Sequence, residues 1–87
     1  MNKDVRASLR ALREKLQRSD ADDPVQQQRI RELQNDIDKI LSEPEQEEAH
    51  EGLREHLEDF QNRFEASHPD LTLYVNHLLN TLSNLGF

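Results

Sequence analysis

The sequence predicts an all-α fold: a bundle of three to four helices, built from helical hairpins with coiled-coil-like seams and assembled as an oligomer. Three observations carry this prediction. Apolar residues recur at alternating steps of three and four in four separate stretches, which is the spacing of one helical face. Each of the three breaks between those stretches holds a proline, a residue that the first turn of a helix accepts and its interior does not. Finally, only 33% of the 87 residues are hydrophobic and an equal 33% are charged. Stripes this narrow commonly complete their burial against a second chain, and a chain this short makes only a modestly stable monomer.

The first stripe is Val5, Leu9, Leu12, Leu16, the two-in-seven seam of a helix. It ends at Ser19-Asp20-Ala21-Asp22-Asp23-Pro24. There Asp22 or Asp23 can accept from the free N–H groups of the next helix, and Pro24 sits where a missing N–H costs nothing. The second stripe is Ile30, Leu33, Ile37, Ile40, with Leu41 beside it. Joined by so short a loop, these two helices form an antiparallel hairpin over residues 2–42. Ser42-Glu43-Pro44-Glu45 and Ser67-His68-Pro69-Asp70 share the form Ser-x-Pro-acid. Each reads as a capping box, with the serine hydroxyl on the N–H three residues ahead and the acid reaching back. Whether these starts follow sharp corners or kinks in a continuous helix is left open. The third stripe is Leu53, Leu57, Phe60, Phe64; the fourth is Leu71, Val75, Leu78, Leu82, Leu85, thickened by Tyr74 and Leu79. These complete a carboxy-terminal pair over 43–86, the whole chain forming a single helical domain. As the most apolar element, the fourth helix is expected at the centre of the bundle. Gly86 and Phe87 suit a Schellman ending, with Phe87 folding back onto Leu82.

Composition also excludes. There is no cysteine, so neither disulfides nor thiolate metal sites exist. Met1 to Arg10 carries Lys3, Asp4, Arg6 and Arg10 where a signal peptide would be apolar, and nothing approaches the roughly 20 apolar residues of a membrane span. A cytoplasmic location is the resulting expectation. The net charge of -7 hides an asymmetry: residues 1–19 hold six basic and two acidic residues, +4, while the remainder holds five basic and sixteen acidic, -11. The two regions are electrostatic opposites.

The run Phe64-Glu65-Ala66-Ser67-His68-Pro69-Asp70-Leu71-Thr72, followed by Leu78, Leu82 and Leu85-Gly86-Phe87, resembles a bacterial family of short helical proteins classed as a domain of unknown function. The resemblance is strongest over residues 60–87; the amino-terminal half matches in its leucine-spaced helical character. It implies a free-standing bacterial cytoplasmic protein and carries no activity with it.

Four histidines among many carboxylates invite a metal reading. Glu47–His50 and Glu65–His68 both have Glu-x-x-His spacing, the unit that di-iron bundles place on two helices, with a glutamate from each of two others. Here Glu47 flanks the seam and the second pair straddles a helix start, so the pattern reads as a solvated acidic face. His68, between a capping serine and a proline, reads as a structural corner residue that bonds backbone, within the group Ser67, His68, Pro69, Asp70. His56 and His77 project from polar faces with no assigned role. No glycine-rich nucleophile elbow or phosphate loop is present, and the paired carboxylates lie on exposed faces. No catalytic residue, cofactor or metal site is therefore assigned, and an enzyme is not expected.

Lys3, Arg6, Arg10 and Arg13 form one basic stripe, a possible interaction surface. The favoured partner is the acidic ridge Glu47, Glu48, Glu51, Glu55, Glu58 and Asp59, within the chain or across a dimer, where opposed charges would select one arrangement. The expected function is non-enzymatic: protein–protein interaction or self-assembly, with itself as partner (homodimer or higher) or with another protein. Nucleic-acid or anionic membrane-surface binding through the first helix is the alternative. It is disfavoured by the absence of interleaved aromatics and by the overall acidity. A metal or small-molecule site between helices is the third reading.

Overall fold

The computed structural model describes residues 3–19, 22–45 and 47–84. These hold four helices: α1 Lys3–Arg18, α2 Pro24–Ser42, α3 Glu47–Phe64 and α4 Pro69–Asn84. Each packs on its two neighbours around a ring, α1 on α2, α2 on α3, α3 on α4 and α4 back on α1. Cross-helix partners run in opposite directions along each pair, as in Arg6 with Leu41 and Arg13 with Asp38, or Arg54 with Ser83 and Gln61 with Asn76. The fold is thus an up-down-up-down bundle. Its radius of gyration, 12.1 Å, matches the about 12 Å of a folded domain of this length.

The seams fill the core as their spacing predicts. Leu9, Leu12, Leu16, Ile30, Leu33, Ile37, Leu57, Phe60, Phe64, Leu78 and Leu82 are all buried, together with Val5, Ile40, Leu53, Leu71 and Val75 from the same stripes. The rings of Phe60 and Phe64 meet edge to face at 4.9 Å, the arrangement their quadrupoles favour. All of this burial is achieved within one chain. Narrow stripes therefore do not require a second copy here, because four of them face a common axis. Any association must use an outer face.

Local chemistry explains where the helices begin and end. Asp23, in extended conformation, caps α2 through Oδ1, which accepts from the Val25 N–H at 3.0 Å, and Pro24 occupies the first turn. The first Ser-x-Pro-acid motif behaves differently from expectation. Ser42 is the last residue of α2, and Glu43 donates its N–H to the Lys39 carbonyl at 2.8 Å as a C-cap. Pro44 lies in the turn and α3 begins only at Glu47. The proline pushes Glu43 out of helical space (φ -135°, ψ 77°), so the motif ends a helix rather than starting one. At the second motif Pro69 does open α4, with the His68 carbonyl accepting the first intrahelical bond from Thr72 at 3.0 Å. Both junctions are sharp corners, since the helices on either side of each pack alongside one another. The proposed Schellman ending at Gly86 and Phe87, and Leu85 of the fourth stripe, lie outside the described residues.

Two positional expectations are corrected. The fourth helix is not central: α4 occupies one corner of the ring, in contact with α3 and α1. A four-cornered bundle has no central helix, so the additional apolar character of α4 is left partly on the surface, where Leu73 is 70% exposed. Nor does the basic first helix lie along the acidic third within the chain. Among the described residues α1 and α3 make no packed pair, because the first and third helices of such a ring are diagonal.

Candidate association surface

The basic stripe is divided by the fold. Arg6 is half-buried and donates through Nη2 to the Leu41 carbonyl at 2.9 Å, sealing the C-terminal end of α2. Arg13 pairs with Asp38 at 3.0 Å, both side chains close to half-exposed, an ion pair worth about 0–1 kcal/mol. Lys3 and Arg10 remain on the outer surface. Lys15, outside the stripe, lies over the Tyr74 ring at 5.3 Å, and the Tyr74 hydroxyl donates to the Ser8 carbonyl at 3.2 Å. The basic side chains of α1 thus do much of their work on α2 and α4.

The corner residues are brought together by a partner that the sequence did not reveal. Gln26, in the first turn of α2, donates its amide to the Ser67 hydroxyl at 3.2 Å and accepts from His68 Nε2 at 3.1 Å. An amide oxygen can only accept, which fixes the proton on Nε2 of His68. His68 therefore bonds a side chain of another helix rather than local backbone. Ser67 does not cap α4 as expected: its hydroxyl turns back to the Phe64 carbonyl at 3.5 Å. Asp70 is exposed. Thr72 is the one polar residue deep in the core among those described, satisfied by the His68 and Pro69 carbonyls, both at 3.1 Å.

A second polar cluster lies between α2 and α3. Arg29 holds Glu32 at 3.1 Å and reaches Asp59 at 3.5 Å, and Asp59 also binds Arg63 at 2.7 Å. The hydrogen bond from Arg63 to Asp59, and then the charge of that carboxylate, raise the Arg63 guanidinium above its ordinary pKa. His56, read from sequence as a solvent-facing side chain, bonds Asp36 through Nδ1 and lies 4.0 Å from Glu32 through Nε2. The missed signal was position: His56 flanks the Leu53–Leu57–Phe60 seam, as Asp36 flanks Leu33–Ile37–Ile40, and flanking positions meet across an antiparallel pair. This cluster fixes the register of α2 on α3.

Of the two Glu-x-x-His pairs, Glu65 is exposed in the turn after α3, His68 is engaged by Gln26, His50 is half-buried on α3, and the Glu47 side chain lies outside the described residues. Among the described residues no group of His, Asp and Glu side chains is arranged to hold a metal ion. No helix among them is long and apolar enough to cross a membrane.

The outward faces differ sharply in charge. That of α3 is a ridge of exposed carboxylates: Glu48, Glu51, Glu55 and Glu58. That of α4 is the opposite case. From Leu71 to Phe87 the sequence contains no Asp, Glu, Lys or Arg. The exposed stripe of α4 there consists of Leu73, Asn76, His77, Asn80 and Asn84. A groove of about 420 Å³ runs here, lined by Leu73, Tyr74, Asn76, His77 and Asn80 together with the charged Lys15 and Asp70. The centres of protein–protein contacts are depleted in charged residues, since no ion need be stripped of water there.

Comparison with known proteins adds a classification. The model of a family described as Domain of unknown function (DUF4404) matches residues 5–87, spanning all four helices and extending well beyond the 60–87 region that carries the clearest motif. No curated protein and no solved structure matches the chain. The chain belongs to the DUF4404 family.

Proposed function

We propose that this is a non-enzymatic, cytoplasmic interaction protein of a bacterium, and that its contact surface is the outer face of α4. The observation that carries the reading is the uncharged stripe of α4 with Leu73 exposed, set in a chain of which one residue in three is charged. Leu73 lies outside the buried core and is 70% exposed, so most of the apolar surface it offers has no structural use inside the chain. A partner that covered it would gain about 1.5–3 kcal/mol from this one side chain. Phosphate binding through α1 is less well supported, because Arg6 and Arg13 are directed to α2.

A photo-crosslinking residue placed at position 73, in the full chain and in cells, tests the reading. It is expected to yield adducts of discrete protein mass, whereas the same residue at position 55, on the acidic ridge, yields none. Equal capture from both positions, or none from position 73, would remove the outer face of α4 as the contact surface.

A further inference from the structure

We infer that the occupant of this face is a basic, amphipathic segment of another protein, with one apolar side chain set on Leu73 and Lys or Arg on either side of it. The inference rests on the association surface proposed above and names the chemistry of its partner. Three observations select a basic partner. The first is that Leu73 walls two grooves, and each carries an exposed carboxylate. The groove on the α1 side holds Asp70; a second, on the α3 side and of about 170 Å³, holds Glu65. The second is that these charges are unspent. Among the described residues no ion pair engages Asp70 or Glu65, whereas Glu14, Glu32, Asp38 and Asp59 are each held by an arginine. Lys15, the cation in the α1-side groove, is drawn over the Tyr74 ring at 5.3 Å. The third is the net charge of -7, which steers a cationic segment toward the chain and repels an acidic one, a second copy included. An exposed leucine flanked by two open carboxylates suits a lysine or arginine side chain in both its parts. The methylene stem covers apolar surface while the charged head reaches the acid.

The probe is a short amphipathic peptide of leucine and lysine carrying a fluorophore, and the control is its counterpart of leucine and glutamate. The anisotropy of each is followed as purified full chain is added. The leucine–lysine peptide is expected to bind and the leucine–glutamate peptide is not. Leu73→Ser should raise the dissociation constant about tenfold or more, through the lost apolar contact. Glu65→Gln with Asp70→Asn should raise it about tenfold. Glu51→Gln with Glu55→Gln, which removes the same number of charges from the acidic ridge, should change it less than about twofold, because distant exposed charges are screened. All of these side chains are exposed, so each variant should keep the wild-type melting temperature, as circular dichroism would verify. Equal weakening by the two charge-removing pairs, or indifference to Leu73→Ser, would mean unspecific attraction of a cation to an acidic chain and overturn the inference. So would binding of the leucine–glutamate peptide, or no binding of either. Such a failure alongside crosslinking at position 73 in cells would sink the basic partner and leave the α4 surface standing. Failure of both experiments would sink both readings.

Discussion

Replacing Phe60 with alanine is expected to destabilise the bundle by about 3–5 kcal/mol, the usual cost of removing a buried phenylalanine ring. Phe60 is only 1% exposed and packs edge to face on Phe64, so its loss removes both transfer energy and an aromatic contact. A ring of four short helices has little slack to collapse into the space left, which places the effect toward the upper end. A domain of this length moves by about 4–8 °C in melting temperature per kcal/mol. The variant should therefore melt tens of degrees lower, or be unfolded at ordinary growth temperatures, as followed by far-ultraviolet circular dichroism. An unchanged melting temperature would mean that Phe60 does not face the bundle axis. Such a result would undo the assignment of the α3 seam.

The second large effect concerns cutting the chain between α2 and α3. Residues 1–43 and 44–87 each contain a complete helical hairpin, yet neither contains a complete core. The α2–α3 and α4–α1 contacts exist only when both halves are present. Without them each hairpin would leave part of its seam in water, and helices of 16 to 19 residues hold little structure on their own. Each fragment alone should show weak helical signal and no cooperative melt, and mixing the two should restore much of both. A fragment that melted cooperatively by itself would show that the hairpins are independent folding units.

How much of this was legible beforehand depends on the range of the interaction. The buried set followed from spacing alone, because a three-four step leaves a helix only one face on which to gather Leu9, Leu12 and Leu16, or Leu57, Phe60 and Phe64. The cap before Pro24 was equally local, with Asp22 and Asp23 both eligible by spacing and Asp23 the one used. What failed were inferences that needed the third dimension. Ser42-Glu43-Pro44-Glu45 and Ser67-His68-Pro69-Asp70 read alike, but they differ in where the preceding helix runs out. Ser42 is still helical, whereas Ser67 already lies in a turn. The opposite charges of α1 and α3 suggested contact, and ring topology set those helices on a diagonal. The clasp of Gln26 on Ser67 and His68 spans more than forty residues of sequence and leaves no trace in any local pattern. The exposed stripe of α4 was hidden for a related reason. High apolar content reads as central until the geometry shows that no helix of a four-membered ring is central.

The most direct test of the association surface is residue-resolved nuclear magnetic resonance of the isotope-labelled full chain, comparing backbone amide signals of the purified protein with those in concentrated bacterial lysate. Association through α4 predicts loss of signal clustered at Leu73, Asn76, His77 and Asn80, with the amides of Glu51, Glu55 and Glu58 on α3 unchanged. Signal loss concentrated on the acidic ridge or along α1, or spread evenly over the chain, would contradict association through that face.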